Sequence, residues 1–241
     1  LFPYTTLFRS IQLKGLQFMK LLSRGKVWCF AIGQLGWSIL AALISSWLVN
    51  YYQPDDKAIA AGHTTFIPQG RVIFGVVTIL GAITAFGRIF DAVSDPLIAS
   101  ASDRCKAKAG RRIPFLKFAS IPFAVSCVLV FWSPVNRISW INGVFLFIML
   151  MIFYLCMTAY CTPYNALIAE LGSTQKLRMS ISTTISFTYI AGMAIAYLAP
   201  TVWGILSNHM ERILAIRVTL TAMAAIALIC LFVPVFTIKE H

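Results

Sequence analysis

Charge is what this sequence has least of. Asp, Glu, Lys and Arg supply 12% of the 241 residues, only eight of them acidic, against 59% hydrophobic residues. A water-soluble domain of this length could not hide that apolar excess, which excludes soluble enzymes and soluble binding modules. Histidine is almost missing: the three are His63, His209 and His241, none inside an apolar run, so no histidine-based metal site sits within the membrane. The six cysteines show no paired spacing; Cys29, Cys127, Cys156, Cys161 and Cys230 lie in apolar runs and Cys105 in a basic loop. That excludes a disulfide or zinc framework. No cleavable signal peptide is evident.

What is present is a series of long apolar stretches, at about Val27 to Tyr52, Val72 to Ala101, Phe115 to Trp132, Ile138 to Ala166, Met179 to Leu206 and Leu214 to Ile238. Each is long enough to span a bilayer. Because lipid offers no water to unpaired amides, and the runs lack the alternation of a barrel, the spans are helices. The expectation is an all-α membrane protein with six transmembrane helices over residues 27–238 and a cytoplasmic amino-terminal segment over 11–26. The opening LFPYTTLFRS, residues 1–10, looks like translated adaptor sequence and is expected to be non-native, with Met19 a plausible native start.

The net charge of +12 would suggest nucleic acid as a partner in a soluble protein. Here the basic residues flank apolar spans and act as topology signals, so no nucleic-acid partner is expected. With the amino terminus inside, only Lys57, Arg71, Arg137, Arg212 and Arg217 fall in external segments, while Lys20, Arg24, Lys26, Arg104, Lys106, Arg111, Arg112, Lys117, Lys176, Arg178 and others fall inside. The positive-inside rule therefore places both termini of this chain in the cytoplasm, as a multi-pass protein of the inner membrane. The stretch QPDDKAIAAGHTTFIPQG reads as a solvated external loop with His63 on its surface.

Inside the spans, polar residues recur at helical spacing. The second span carries Thr84, Arg88, Asp91 and Asp95, offset by four, three and four, so all project from one helix face. An ionised side chain near the bilayer centre costs at least about 2.5 kcal/mol, so these groups must be paired, hydrated or ligating. Two carboxylates one turn apart with the Ser94 hydroxyl form a cluster of hard oxygen ligands for an alkali cation or a proton. The alternative is an Arg88–Asp91 ion pair that only fixes packing. The fourth span repeats the spacing with Tyr154, Thr158, Cys161 and Asn165, and Thr158 could complete an oxygen shell. Gln34, Trp37, Ser38 and Ser45 in the first span and Ser182, Ser186 and Tyr189 in the fifth extend a common polar interior. Hydroxyls, amides and rings together suit a polyhydroxylated solute. The basic SDRCKAKAGRRIP segment is open to two readings, a topology signal or a gate.

The blocks GRIFDAVSDP, SDR with GRRIP, and TPYNALIAEL followed by Arg178 resemble the glycoside-pentoside-hexuronide:cation symporter family of the major facilitator superfamily. The resemblance implies a twelve-helix fold of which this chain is the amino-terminal half, with residues 239–241 opening the central cytoplasmic loop. It implies a carbohydrate symporter, not an enzyme, whose partners are the lipid bilayer, a small solute such as a glycoside, and a missing carboxy-terminal six-helix half. It places the cation site at Asp91, Ser94, Asp95 and Thr158, with Na+ as coupling ion and H+ or Li+ as alternatives, and no other cofactor. Substrate contacts would fall to Trp37, Ser38, Arg88, Tyr154, Cys161 and Ser186, and a cytoplasmic gate to Asp103, Arg104, Arg111, Arg112 and Arg178. Ser38 and Cys161 stand at the family's galactoside-binding aspartates and Ser186 at an arginine, so galactoside specificity does not carry over. A non-sugar or lipid-like solute remains the alternative within the superfamily. An intramembrane aspartyl enzyme, a non-transporting scaffold and a channel are the rivals from other classes.

Overall fold

The computed structural model describes residues 23–55, 59–60, 62–67, 71–73, 77–107, 110–172 and 174–238. The expectations for residues 1–22 and 239–241, and for the side chains of Lys57 and Arg71, lie outside the described residues.

Most of each apolar stretch is helical: α1 is Arg24–Tyr52, α2 Ile79–Arg104, α3 Ile113–Val130, α4 Trp140–Leu171, α5 Gln175–Tyr197, α6 Ala199–Leu206 and α7 Arg212–Thr237. Two short antiparallel strands, β1 (Arg71–Ile73) and β2 (Val77–Thr78), precede α2. Among the described residues, five segments are long and apolar enough to cross a membrane: α1, α3, α4, α5 with α6, and α7. At 26 residues α2 is long enough too, but Arg88, Asp91 and Asp95 make it too polar to pass on composition.

The second span is corrected at its start. It begins at Ile79, not Val72, because the β-branched run before it pairs as strands and Thr78 caps the helix, its Oγ1 accepting from the Gly81 amide at 3.0 Å. In the basic loop Gly110 has φ of 109°, a left-handed value that only glycine adopts readily. The fifth span is broken at Leu198, two residues before Pro200. Proline cannot donate to the carbonyl four residues back, which is that of Ala196. The indole N–H of Trp47, from α1, donates to it instead at 2.9 Å.

Packing centres on α1, which lies against α5 and α7, and on α4, which lies against α2 and α3; α3 meets α7, and α6 rests on α7. Exchanging α1, α2 and α3 for α4, α5 and α7 reproduces these main contacts. That pattern of contacts is the one an internal repeat of three helices gives. Close approach depends on glycine: a Cβ at Gly36 would meet the Ala227 carbonyl oxygen at 2.7 Å, and one at Gly33 the Pro234 ring at 2.7 Å. Tyrosines tie the same helices together, Tyr164 donating to the Phe30 carbonyl at 2.7 Å and Tyr160 to that of Leu231 at 3.0 Å.

The segment after α1 is part open and part packed: Asp55, Ile59, Ala60 and Gly62 are exposed, while Phe66 and Ile67 are buried. His63, expected on its surface, is 3% exposed between Tyr51 and Phe66. Asn142, fully buried, donates to the carbonyls of Phe66, Val135 and Arg137 and accepts from the Val135 amide. Arg217 reaches the Tyr51 hydroxyl at 3.2 Å and lies over the Trp132 ring. Buried aromatic surface, not loop composition, decides this region.

Candidate functional site

The face of α2 divides into three sectors. Leu80, Ile83, Gly87 and Ser94 are buried toward α4; Phe86, Ile89, Val93 and Leu97 form an exposed apolar stripe fit for lipid; Arg88, Asp91 and Asp95 make the polar stripe between protein and open face. Helical phase thus puts all three charges away from lipid.

Across from the polar stripe stands α4. Thr158, 2% exposed, donates from Oγ1 to Asp91 Oδ1 at 2.5 Å, and Ser94 Oγ lies 3.4 Å from the same hydroxyl. One turn on, Thr162 Oγ1 donates to Asp95 Oδ1 at 3.0 Å. These threonines depart from the rest of the protein. Ser38, Ser120, Ser126, Thr184, Ser186, Thr188 and Thr219 all turn their hydroxyls back on carbonyls of their own helix. Among the described residues, only Thr158 and Thr162 on α4, with Ser94 on α2, send a hydroxyl across a helix interface to another side chain.

Arg88 does not pair with Asp91: among the described residues no ion pair joins it to either aspartate, and its guanidinium lies 5.4 Å from the centre of the Tyr154 ring. That ring is seated against Gly87, where a Cβ would come within 2.5 Å of Tyr154 Cε2. The rival reading of a structural Arg88–Asp91 pair is therefore absent from the structure. Cys161 lies on the same side of α4, near enough to feel the charge of both aspartates.

The predicted cation residues Asp91, Ser94, Asp95 and Thr158 are thus brought together, with Arg88, Tyr154 and Cys161 around them. Trp37, Ser38 and Ser186 belong to a second group on α1 and α5. Trp37 leans on Tyr189 with ring centres 6.2 Å apart, and its buried indole nitrogen has no hydrogen-bond partner among the described residues. Ser186 is exposed. Ser38 is the misfit: it is 1% exposed, bonded to the Leu35 carbonyl and packed on Gly192 of α5, so it faces a helix interface rather than an open surface. Thr162 is missing from the sequence-derived set, although its spacing of four from Thr158 matches that of Asp95 from Asp91.

At the other end, Arg112 bridges Asp103 at 3.1 Å and Glu170 at 2.9 Å, and Arg111 joins Glu170 at 2.8 Å. This network ties the end of α2, the start of α3 and the end of α4. Glu170 belongs to it but was not expected. Arg178 instead closes α4, donating from Nε to the Gly172 carbonyl at 2.7 Å, as a cation suits a helix carboxy terminus. Arg104 is exposed and takes no part in the network.

Fold and site together define a multi-pass membrane protein with a carboxylate–hydroxyl centre held between two of its spans. The match to known proteins narrows this: residues 29–241 fit the family described as MFS/sugar transport protein, and the chain belongs to that family, one of transporters rather than enzymes. It is 29% identical over 175 residues to YagG of Escherichia coli (strain K12), which carries the provisional name glycoside/cation symporter, covering 70% of this chain and 37% of YagG. It is 26% identical over 180 residues to YnaJ of Bacillus subtilis (strain 168), an uncharacterized symporter, covering 74% of this chain and 35% of YnaJ. A further symporter, sll1374 of Synechocystis, is 33% identical over 108 residues, 43% of this chain and 20% of that protein. The chain thus spans little more than a third of the length of YagG and of YnaJ.

Proposed function

We propose that this chain is the amino-terminal six-helix half of a cation-coupled symporter that carries a sugar or glycoside across the inner membrane, with both of its ends in the cytoplasm. The observation that carries the reading is the pair of hydroxyl–carboxylate contacts between α2 and α4, Thr158 to Asp91 and Thr162 to Asp95. Two acidic groups and three hydroxyls at one helix junction supply hard oxygen ligands, which suit Na+, with Li+ or H+ as the other ions able to neutralise the pair. A bound cation removes the cost of two negative charges in the membrane and so favours whichever arrangement of the bundle encloses it; coupling is that difference in affinity between arrangements.

Trp37, Tyr189, Arg88, Tyr154, Cys161 and Ser186 line the solute path in this reading, where rings can stack on sugar faces and the unpartnered Trp37 indole can donate. Asp103, Arg104, Arg111 and Arg112, with Glu170, serve as the cytoplasmic gate. Arg178 supports it by fixing the end of α4. The missing six helices supply the opposite wall of the path.

The test is uptake of a panel of glycosides and of amphiphilic, non-sugar solutes into vesicles carrying the chain joined to its carboxy-terminal half, with sodium, lithium or a proton gradient. Glycoside uptake driven by sodium and abolished by Asp91→Asn or Asp95→Asn is the expected result. Uptake indifferent to all three ions and to both substitutions would sink the mechanism.

A further inference from the structure

The structure assigns Thr162 a role no sequence pattern gave it: we infer that it is a positioning residue that holds Asp95 as the outer ligand of the cation pair, a role that rests on reading Asp91 and Asp95 as that pair. Asp91 and Asp95 are four residues apart on α2, Thr158 and Thr162 four apart on α4, and each aspartate meets its own threonine. One turn of rise, about 6 Å, separates the two rungs. The rungs differ in surroundings. Thr158 and Ser94 are buried, at 2% and 5% exposure, so the Asp91 carboxylate is fixed by a crowded set of oxygens. Asp95 is exposed, and the Thr162 hydroxyl is its one side-chain contact among the described residues.

An exposed aspartate held by nothing would sample several rotamers and lose that freedom whenever it ligated an ion. A hydroxyl that donates to one carboxylate oxygen removes the freedom in advance and leaves the other oxygen for the ion. Thr162 does so, like Thr158, without the bond to its own helix that hydroxyls such as those of Thr184 and Thr219 keep. Its neighbour Pro163 lies inside α4 and has no N–H for the Ala159 carbonyl, so an acceptor on its own helix is open to Thr162 and the hydroxyl bonds Asp95 instead. The division of labour follows: Asp91 is the inner, rigid ligand, and Asp95 the outer ligand whose aim depends on Thr162.

The test uses the purified chain joined to its carboxy-terminal half, in lipid nanodiscs, and follows sodium binding by titration calorimetry as NaCl replaces choline chloride at constant ionic strength, with the melting temperature recorded at each salt concentration, since an ion that binds the folded protein raises it. Four proteins are compared: wild type, Asp91→Asn, Thr162→Val and Thr162→Ser. Thr162→Val, equal in shape, is expected to raise the half-saturating sodium concentration roughly threefold to tenfold, the range for one interhelical hydrogen bond, while leaving the plateau in place. Thr162→Ser, which keeps the hydroxyl, should stay within about twofold of wild type on the same reasoning. A merely structural threonine would lower the melting temperature at every salt concentration without moving the midpoint. An unmoved midpoint in Thr162→Val, with Asp91→Asn losing the response, overturns the role of Thr162 and leaves the cation site intact. If Thr162→Val does not fold, Thr162→Ser against Thr162→Cys gives the same comparison, because the thiol donates weakly. No sodium response in wild type overturns the cation site and this inference with it.

Discussion

Replacing Trp47 by Phe should expose the break between α5 and α6 as a single missing hydrogen bond. The Ala196 carbonyl loses its normal partner because residue 200 is proline, and the Trp47 indole supplies the donor at 2.9 Å. Phenylalanine keeps a ring against Tyr197 and Trp203, which lie edge-on to Trp47 at 6.1 and 5.3 Å, but has no N–H. Interhelical hydrogen bonds in membrane proteins contribute about 0.6 kcal/mol on average and up to about 1.7. With the lost ring area, Trp47→Phe should cost about 1–2 kcal/mol. Pro200→Ala restores a backbone N–H in reach of Ala196, so in that background the same substitution should cost only the ring term, about 0.5 kcal/mol. The double-mutant cycle, read by unfolding in mixed micelles with far-ultraviolet circular dichroism, should return a coupling energy near 1 kcal/mol. Additivity within about 0.3 kcal/mol would refute the idea that Trp47 replaces the proline's missing donor.

Three further outcomes follow from the same structure. Gly87→Ala would bring a Cβ within 2.5 Å of the Tyr154 ring, so α2 must shift off α4 at a cost of about 1–3 kcal/mol, measurable as a lower midpoint of unfolding; an unchanged midpoint would show that the contact is slack. Asn142→Ala leaves the Val135 and Arg137 carbonyls and the Val135 amide without their side-chain partner, and the Phe66 carbonyl with the Ser139 amide, so it should destabilise by about 2–4 kcal/mol, with proteolysis of the segments around it as readout; wild-type resistance would count against this packing. For His63, burial pushes the imidazole down from its ordinary value of 6.5, its Nδ1–H donates to the Thr64 carbonyl, Nε2 has no partner, and Arg212 opposes a further positive charge. The unfolded chain then binds the extra proton first, so this stabilisation is complete above pH 6.5 and is lost as pH falls below it. The melting temperature should drop between pH 7.5 and 5 in wild type and drop less in His63→Gln; parallel curves would exclude His63 as the source.

The polar stripe on α2 was legible because a helix turns sequence spacing into a face with no help from the rest of the fold: offsets of four, three and four could not scatter Thr84, Arg88, Asp91 and Asp95. The matching stripe on α4 was legible for the same reason as far as Thr158. Thr162 was not, since nothing local says that one threonine will bond its own helix and another will cross to a neighbour. That choice is made by the register of α4 against α2, set in part by how closely Tyr154 sits on Gly87. The start of α2 was misplaced for a different reason. An apolar run rich in valine and isoleucine reads the same on a hydropathy scale whether it spans, pairs or turns, and the Thr78 cap was the only local mark that the helix had not yet begun.

His63 and Ser38 failed in opposite directions and share one cause. Loop composition put His63 in water, yet Tyr51, Phe66 and Phe131 leave it buried. Helical phase put Ser38 beside Trp37 on a polar face, yet it lies where α1 meets Gly192, and a glycine there lets α5 come close enough to enclose the hydroxyl. In both places a neighbouring element, not the residue's own segment, decides exposure. In the proposed function, the solute path is built from groups that no neighbour encloses. On α5 the exposed Ser186 and Tyr189 are such groups, and the Trp37 ring of α1 leans on Tyr189, so this side presents rings as well as a hydroxyl. A solute recognised there needs a flat apolar face as much as it needs hydroxyls, which is how a sugar ring can be held with few charged partners.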